Sequence, residues 1–144
     1  MVNARTKGAA NERAVARMYF DEMGVTLMRD IEQYRRADRG DLIADSDFDF
    51  PFCIEVKSRA GVNVSHDKTW WAQVDKAAKA CQKMPLLWYK YDRREWRVVM
   101  RLKDVCVAVA PASFDDSYAD ALLTMDADTH FYLAREILAE RAAI

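Results

Sequence analysis

The segment Phe52–Ser58, FCIEVKS, constrains this chain more than any other stretch. Its residues alternate with period two. As a strand, it places Phe52, Ile54 and Val56 on one face and Cys53, Glu55 and Lys57 on the other. Ahead of it, Asp41–Ala44 begins an apolar run, DLIA. The intervening DSDFDFP at 45–51 is Asp-rich turn material that ends in Pro51. The two runs are expected to pair as an antiparallel hairpin.

Helical spacing flanks this hairpin. Ala14, Val15, Met18 and Tyr19 recur at a helical period, which predicts a helix over 8–23 with Gly24 as its stop. Glu12 shares a face with Val15, Ala16 and Tyr19, at the border of the buried stripe. Val25–Arg29 reads as a short strand, and the polar 30–40 as a loop or as a strand end followed by a loop. Trp70, Trp71, Val74, Ala77, Ala78 and Cys81 predict a second helix over 67–83, stopped by Pro85. Leu86–Tyr91 and Trp96–Arg101 read as two strands around a turn at 92–95. Residues 102–110 fit helix or strand, and 113–124 and 128–142 are expected to be helical. The order α-β-β-β-α-β-β with helices after it predicts a mixed sheet flanked by helices, in one domain over 1–144.

The chain has 144 residues, of which 51% are apolar, so it can build a core without disulfides or metal staples. Cys53, Cys81 and Cys106 lack zinc-ligand spacing and point to a reducing compartment. No apolar leader or membrane-length run is present, so a soluble, cytoplasmic protein is expected. The net charge of −1 hides an asymmetry. Residues 54–103 carry 12 basic and 5 acidic side chains, a balance of +7, whereas 104–144 carry 2 and 8, a balance of −6. A basic body of this kind suits phosphate, although ordinary surface charge would look the same.

Asp41 and Glu55 supply hard oxygen ligands of the sort Mg²⁺ takes, and the Val56 carbonyl is a further candidate ligand. Glu55 and Lys57 stand on one strand face with Cα atoms roughly 6.5–7 Å apart. Metal, carboxylates and a nearby cation are what phosphodiester hydrolysis requires. A Glu and a Lys so placed also occur as a simple ion pair.

In context, the Asp–hairpin–Glu-x-Lys pattern resembles the PD-(D/E)xK nuclease superfamily. Lys7, Gly8, Glu12 and Arg13 resemble the first helix of archaeal-type Holliday junction resolvases. Gly40-Asp41-Leu42-Ile43 and Ile54-Glu55-Val56-Lys57-Ser58 are similar to that family's two following motifs. WWAQVDKAAKA and LLWYKYDRREWRVVM also resemble phage-encoded relatives and virus-type replication-repair nuclease domains. The resemblance covers about residues 5–101 and leaves a C-terminal extension over about 102–144. It implies a restriction-endonuclease-like α/β (α+β) core. It also implies Mg²⁺, with Mn²⁺ able to substitute, and Glu12, Asp41 and Glu55 as ligands. Lys57 would be the catalytic lysine and Gln73 an accessory group. The implied function is a dimeric endodeoxyribonuclease acting on four-way DNA junctions in recombination and repair. A flap, repair or restriction-type nuclease and an inactive DNA-binding module are the alternatives.

Lys7, Arg13, Arg35, Arg36, Arg39, Ser58, Arg59 and Lys90 are the candidate DNA contacts. Arg93, Arg94 and Arg97 join Lys90 on a basic hairpin that would grip a backbone or merely keep an edge soluble. Trp70, Trp71, Trp88, Phe131 and Ile137 are candidates for a dimer surface or for the monomer's own core. His66 and His130 receive no role.

Overall fold

The structure, a computed structural model, describes residues 4–31, 40–45, 48–61, 65–109 and 115–143. The elements run α1 (Ala4–Met23), β1 (Leu27–Arg29), β2 (Leu42–Ala44), β3 (Phe52–Arg59), α2 (Lys68–Cys81), β4 (Met84–Tyr91), β5 (Arg97–Arg101), α3 (Leu102–Val109), β6 (Leu122–Asp126) and α4 (Ala127–Ala142). A 3₁₀ turn at Asp116–Tyr118 precedes β6. The six strands form one sheet in the order β1-β2-β3-β4-β5-β6. Neighbours are antiparallel except β3 and β4, which α2 joins as parallel strands.

Period two decides which residues meet which layer. Phe52, Ile54 and Val56 pack in a core with Val15 and Tyr19 of α1 and Phe131, Ala134 and Ile137 of α4. Cys53 packs on the opposite face with Trp70, Val74, Ala77 and Ala78 of α2 and with Leu87, Tyr89 and Val99. β3 is thus buried on both faces, and Glu55 and Lys57 lie on the α2 side. The sheet is mixed and helix-flanked, an α+β domain.

Local stops hold as expected at Gly24, which adopts φ 66° and donates its N–H to Phe20 O at 2.9 Å. The second helix ends differently. Gln82 takes a left-handed conformation (φ 58°) and returns its N–H to Ala78 O. Pro85 is not the stop but the second residue of β4, opposite Cys53. Its missing N–H costs nothing there. The Met84 N–H already turns towards Pro51 O, so position 85 faces the other way, and β5 pairing begins only at Leu87.

The expected helix at 113–124 is the largest correction. Leu122–Asp126 is instead an edge strand whose five residues pair with β5. Without it, β5 would present an unpaired row of backbone groups, and ladder pairing outweighs a weak helical pattern. The ambiguous 102–110 segment resolves as α3. Most of the residues weighed as dimer surface or monomer core belong to the core. Trp88 and Ile137 are fully buried, Phe131 and Trp70 are buried, and Trp71 is half-buried.

His130 lies at the centre of this core. Its Nε2 sits 2.5 Å from Tyr19 Oη, which also accepts the Trp88 indole N–H at 3.1 Å. Rings of Tyr19, Phe52, Trp88 and Phe131 surround it. Burial pushes its pKa down to about 3, so the imidazole is neutral.

Candidate active site

Gly40 governs how the second strand reaches the third. It adopts φ 75°, and a Cβ there would stand 2.6 Å from Ile54 O and 3.0 Å from Cys53 Sγ. Only glycine allows so close an approach in this conformation. The next residue then donates its N–H to Ile54 O at 2.7 Å. β2 and β3 share one ladder pair, Leu42 with Ile54, and separate beyond it. The Val56 N–H, which a longer β2 would have bonded, is met by the carboxylate of Asp41, with Oδ2 at 2.7 Å. Because a strand residue's N–H and C=O point to the same side, the Val56 carbonyl lies on this opened edge as well.

All three candidate carboxylates are buried. Asp41 is 6% exposed, Glu55 3% and Glu12 8%. Glu55 Oε2 has no hydrogen-bond partner among the described residues. Burial pushes the Glu55 carboxyl up to about 9; the Asp41 charge beside it adds to the rise, and Lys57 opposes it. Burial also raises Glu12, against the pull of Arg29, whose Nε bonds Glu12 Oε2 at 2.6 Å. The Glu12 charge is felt at Glu55, but among the described residues no three acidic, His or Cys side chains converge as ligands. The donor set nevertheless fits a hard divalent cation that keeps several waters. It offers an orphaned carboxylate oxygen, a pinned aspartate and a carbonyl on the same edge, and a cation there would favour the charged form of both carboxylates.

Lys57 is half-buried on the same strand face as Glu55, two residues on. Gln73 is exposed on α2, with no hydrogen bond to Asp41, Glu55 or Lys57. Among the candidate DNA contacts, Lys7 pairs with Asp92 at 2.6 Å and Arg59 with Asp67 at 3.0 Å. Arg59 also lies over the Trp70 ring, 4.8 Å from its centroid. Ser58 Oγ accepts the Asn11 amide at 2.7 Å, Lys90 lies 5.1 Å from the Trp96 ring centroid, and Arg13 is exposed. Arg35, Arg36 and Arg39 lie outside the described residues. Sequence reasoning missed Arg29 and Asp30. The first holds Glu12; the second is 4% exposed and donates its N–H to Asp41 O at 2.9 Å. A single Arg and a single Asp before a polar loop carry no local signal for either role.

A mixed sheet opened at one edge by an aspartate, with Glu and Lys alternating on the next strand, is the architecture of a restriction-endonuclease-like domain. Residues 3–133 match the sequence family described as "Phage putative PDDEXK endonuclease", and the chain belongs to that family. The match runs past residue 101, so α3, β6 and the start of α4 are part of the family pattern. No curated protein sequence matches the chain. Among solved structures, the Archaeoglobus fulgidus Hjc, a Holliday junction resolvase from an archaeal hyperthermophile, superposes with a TM-score of 0.53 at 17% identity. The superposition covers 88% of this chain and 96% of that one. At such identity the likeness is one of fold. No helix among the described residues is long and apolar enough to cross a membrane.

Proposed function

We propose that the protein is a Mg²⁺-dependent endodeoxyribonuclease that cuts branched DNA, four-way junctions foremost, by paired nicks in recombination or repair. The observation that carries the reading is the Asp41–Glu55 pair: two adjacent buried carboxylates, one pinned by the Val56 N–H and the other with an unpartnered oxygen. Asp41, Glu55 and the Val56 carbonyl would hold Mg²⁺, or Mn²⁺ in its place, with Glu12 the nearest further carboxylate. Bound there, the ion supplies Lewis-acid polarisation of the phosphate and lowers the pKa of water. Lys57 steadies the phosphate as negative charge grows on it and orients the attacking water. Water adds to phosphorus as the P–O bond to the leaving nucleotide breaks, and the proton that the water gives up ends on the departing oxygen.

Membership of an endonuclease family and intact Asp41, Glu55 and Lys57 favour catalysis over mere DNA binding. The junction preference rests on the shared fold with a resolvase. A four-way junction needs two opposed nicks, which a two-fold homodimer would deliver. Since Trp88, Phe131 and Ile137 are core, such an interface would draw on exposed residues such as Phe20, Met28 and Ile31. The work would be done in the cytoplasm of a bacterium or phage-infected host. Cleavage gels on four-way, flapped, linear duplex and single-stranded DNA with Mg²⁺ test the reading. Selective, paired nicking of junctions is expected, and equal cutting of flaps or linear duplex would assign a different nuclease role.

A further inference from the structure

The hairpin between β4 and β5 encloses an open cavity of about 340 Å³, lined by Tyr89, Lys90, Arg93, Arg94, Glu95 and Arg97 among others. Four of those side chains are cationic and one is acidic, so the lining carries a net +3. The neighbouring acids answer only part of this charge: Asp92 feels Lys90 and Arg93, and Asp126 feels Arg97. Asp92, at the hairpin's turn, is held by Lys7 at 2.6 Å. Asp126, the register partner of Arg97, caps α4 by accepting the Thr129 N–H at 2.7 Å. Among the described residues, Arg93, Arg94 and Arg97 form no salt bridge. Arg93 is also held at φ 63°, a conformation that L side chains rarely adopt.

Register ties this cavity to the catalytic edge. Lys57 pairs directly with Tyr89, and Tyr89 with Arg97. Directly paired residues share a sheet face. Lys57, Tyr89 and Arg97 therefore form one row across β3, β4 and β5, two strand spacings or roughly 10 Å from end to end. Rise along one DNA strand is about 3.4 Å per nucleotide and the backbone winds as it rises, so that span reaches a phosphate one or two nucleotides away.

We propose that the β4–β5 cavity is a phosphate subsite that seats the DNA backbone one or two nucleotides from the bond at Lys57. The subsite rests on the nuclease reading above and extends it. Arginine forks suit phosphate because their N–H groups pair with two oxygens at once. With Arg97 ending the row and Arg94 beside it in the cavity lining, the seated phosphate sets the direction in which a strand leaves the active site. A substrate able to bend or branch at that point satisfies both anchors.

The test is a salt titration of DNA binding by the full-length protein in EDTA, with a linear duplex and a four-way junction as probes. Arg94→Gln/Arg97→Gln is compared with wild type, with Arg94→Lys/Arg97→Lys, and with Arg135→Gln on α4 as a remote control. Each lost phosphate contact lowers the slope of log affinity against log salt by about 0.9. The Gln pair is expected to lower the slope by about one to two and to weaken binding severalfold at moderate salt. The Lys pair should restore most of the slope, and Arg135→Gln should leave it unchanged. An unchanged slope in the Gln pair, with wild type binding and cutting DNA, overturns the subsite alone. Wild type that binds no DNA overturns the nuclease reading and the subsite with it. Inorganic phosphate, followed by NMR shifts of the arginine Nε–H signals, separates the two sources of phosphate. A response to free phosphate with no change in the DNA slope makes this a small-anion site and also overturns the proposal.

Discussion

Asp41 Oδ2 accepts the backbone N–H of Val56 at 2.7 Å. The side chain takes the place of a strand at the point where β2 leaves β3, and the bond fixes one carboxylate oxygen beside Glu55. The same contact makes Asp41 costly to replace. Asp41→Asn, Glu55→Gln and Lys57→Ala are each expected to lower turnover by at least about 10²–10³-fold with the fold retained. Single-turnover cleavage together with circular dichroism checks this; near-wild-type turnover in any one variant removes that residue from the site.

Metal should be visible without any cleavage. Millimolar Mg²⁺ or Mn²⁺ is expected to raise the melting temperature of wild type, because an ion that binds only the folded state stabilises it. Asp41→Asn and Glu55→Gln should lose that rise. In cleavage assays EDTA should abolish activity, and Ca²⁺ should permit DNA binding with little chemistry. Full turnover in EDTA would refute the mechanism.

Gly40→Ala tests the approach of the two strands. The added Cβ would meet Ile54 O at 2.6 Å in a residue already at φ 75°. A loss of about 1–3 kcal/mol of stability is expected, with activity falling too as Asp41 shifts. Urea melts and cleavage rates measure both, and a neutral substitution would show that β2 does not need this contact.

His130 makes stability depend on acid. Burial lowers its folded pKa to about 3, from an unfolded value near 6.5. Below pH 6.5 the unfolded chain therefore binds the extra proton, and stability falls with falling pH until about 3; above 6.5 the full stability is present. By pH 4.5 the loss from this group is roughly 2–3 kcal/mol. His130→Leu should be less stable at pH 7.5, having lost the bond to Tyr19, yet show a shallower fall between pH 6.5 and 4.5. Thermal melts across that window decide it, and parallel curves would refute the assignment.

Light scattering tests assembly. A dimer, rather than the 16.6 kDa monomer, is expected at micromolar concentration. A clean monomer with no preference for junctions would end the resolvase reading and leave the nuclease reading standing.

The residues that meet locally were legible in the order of amino acids. Period two at Phe52–Ser58 assigned Glu55 and Lys57 to one face, helical spacing located α1 and α2, and Gly24 marked a stop, because backbone geometry acts over a few residues. Residues that depend on a distant partner were not legible. Leu122–Asp126 is a strand only because β5 offers it an edge, and its short apolar run reads equally well as helix. Trp88, Phe131 and Ile137 carry no mark that separates core from interface, since burial depends on which helices cover the sheet. Glu12 shares a helix face with Val15 and Tyr19, yet its bond to Arg29 exists only because β1 passes alongside α1. The row from Lys57 through Tyr89 to Arg97 joins three strands whose register is set by α2 crossing over the sheet and by the turn at Asp92. Chain order specifies each strand's two faces, but only pairing across the sheet decides which side chains become neighbours.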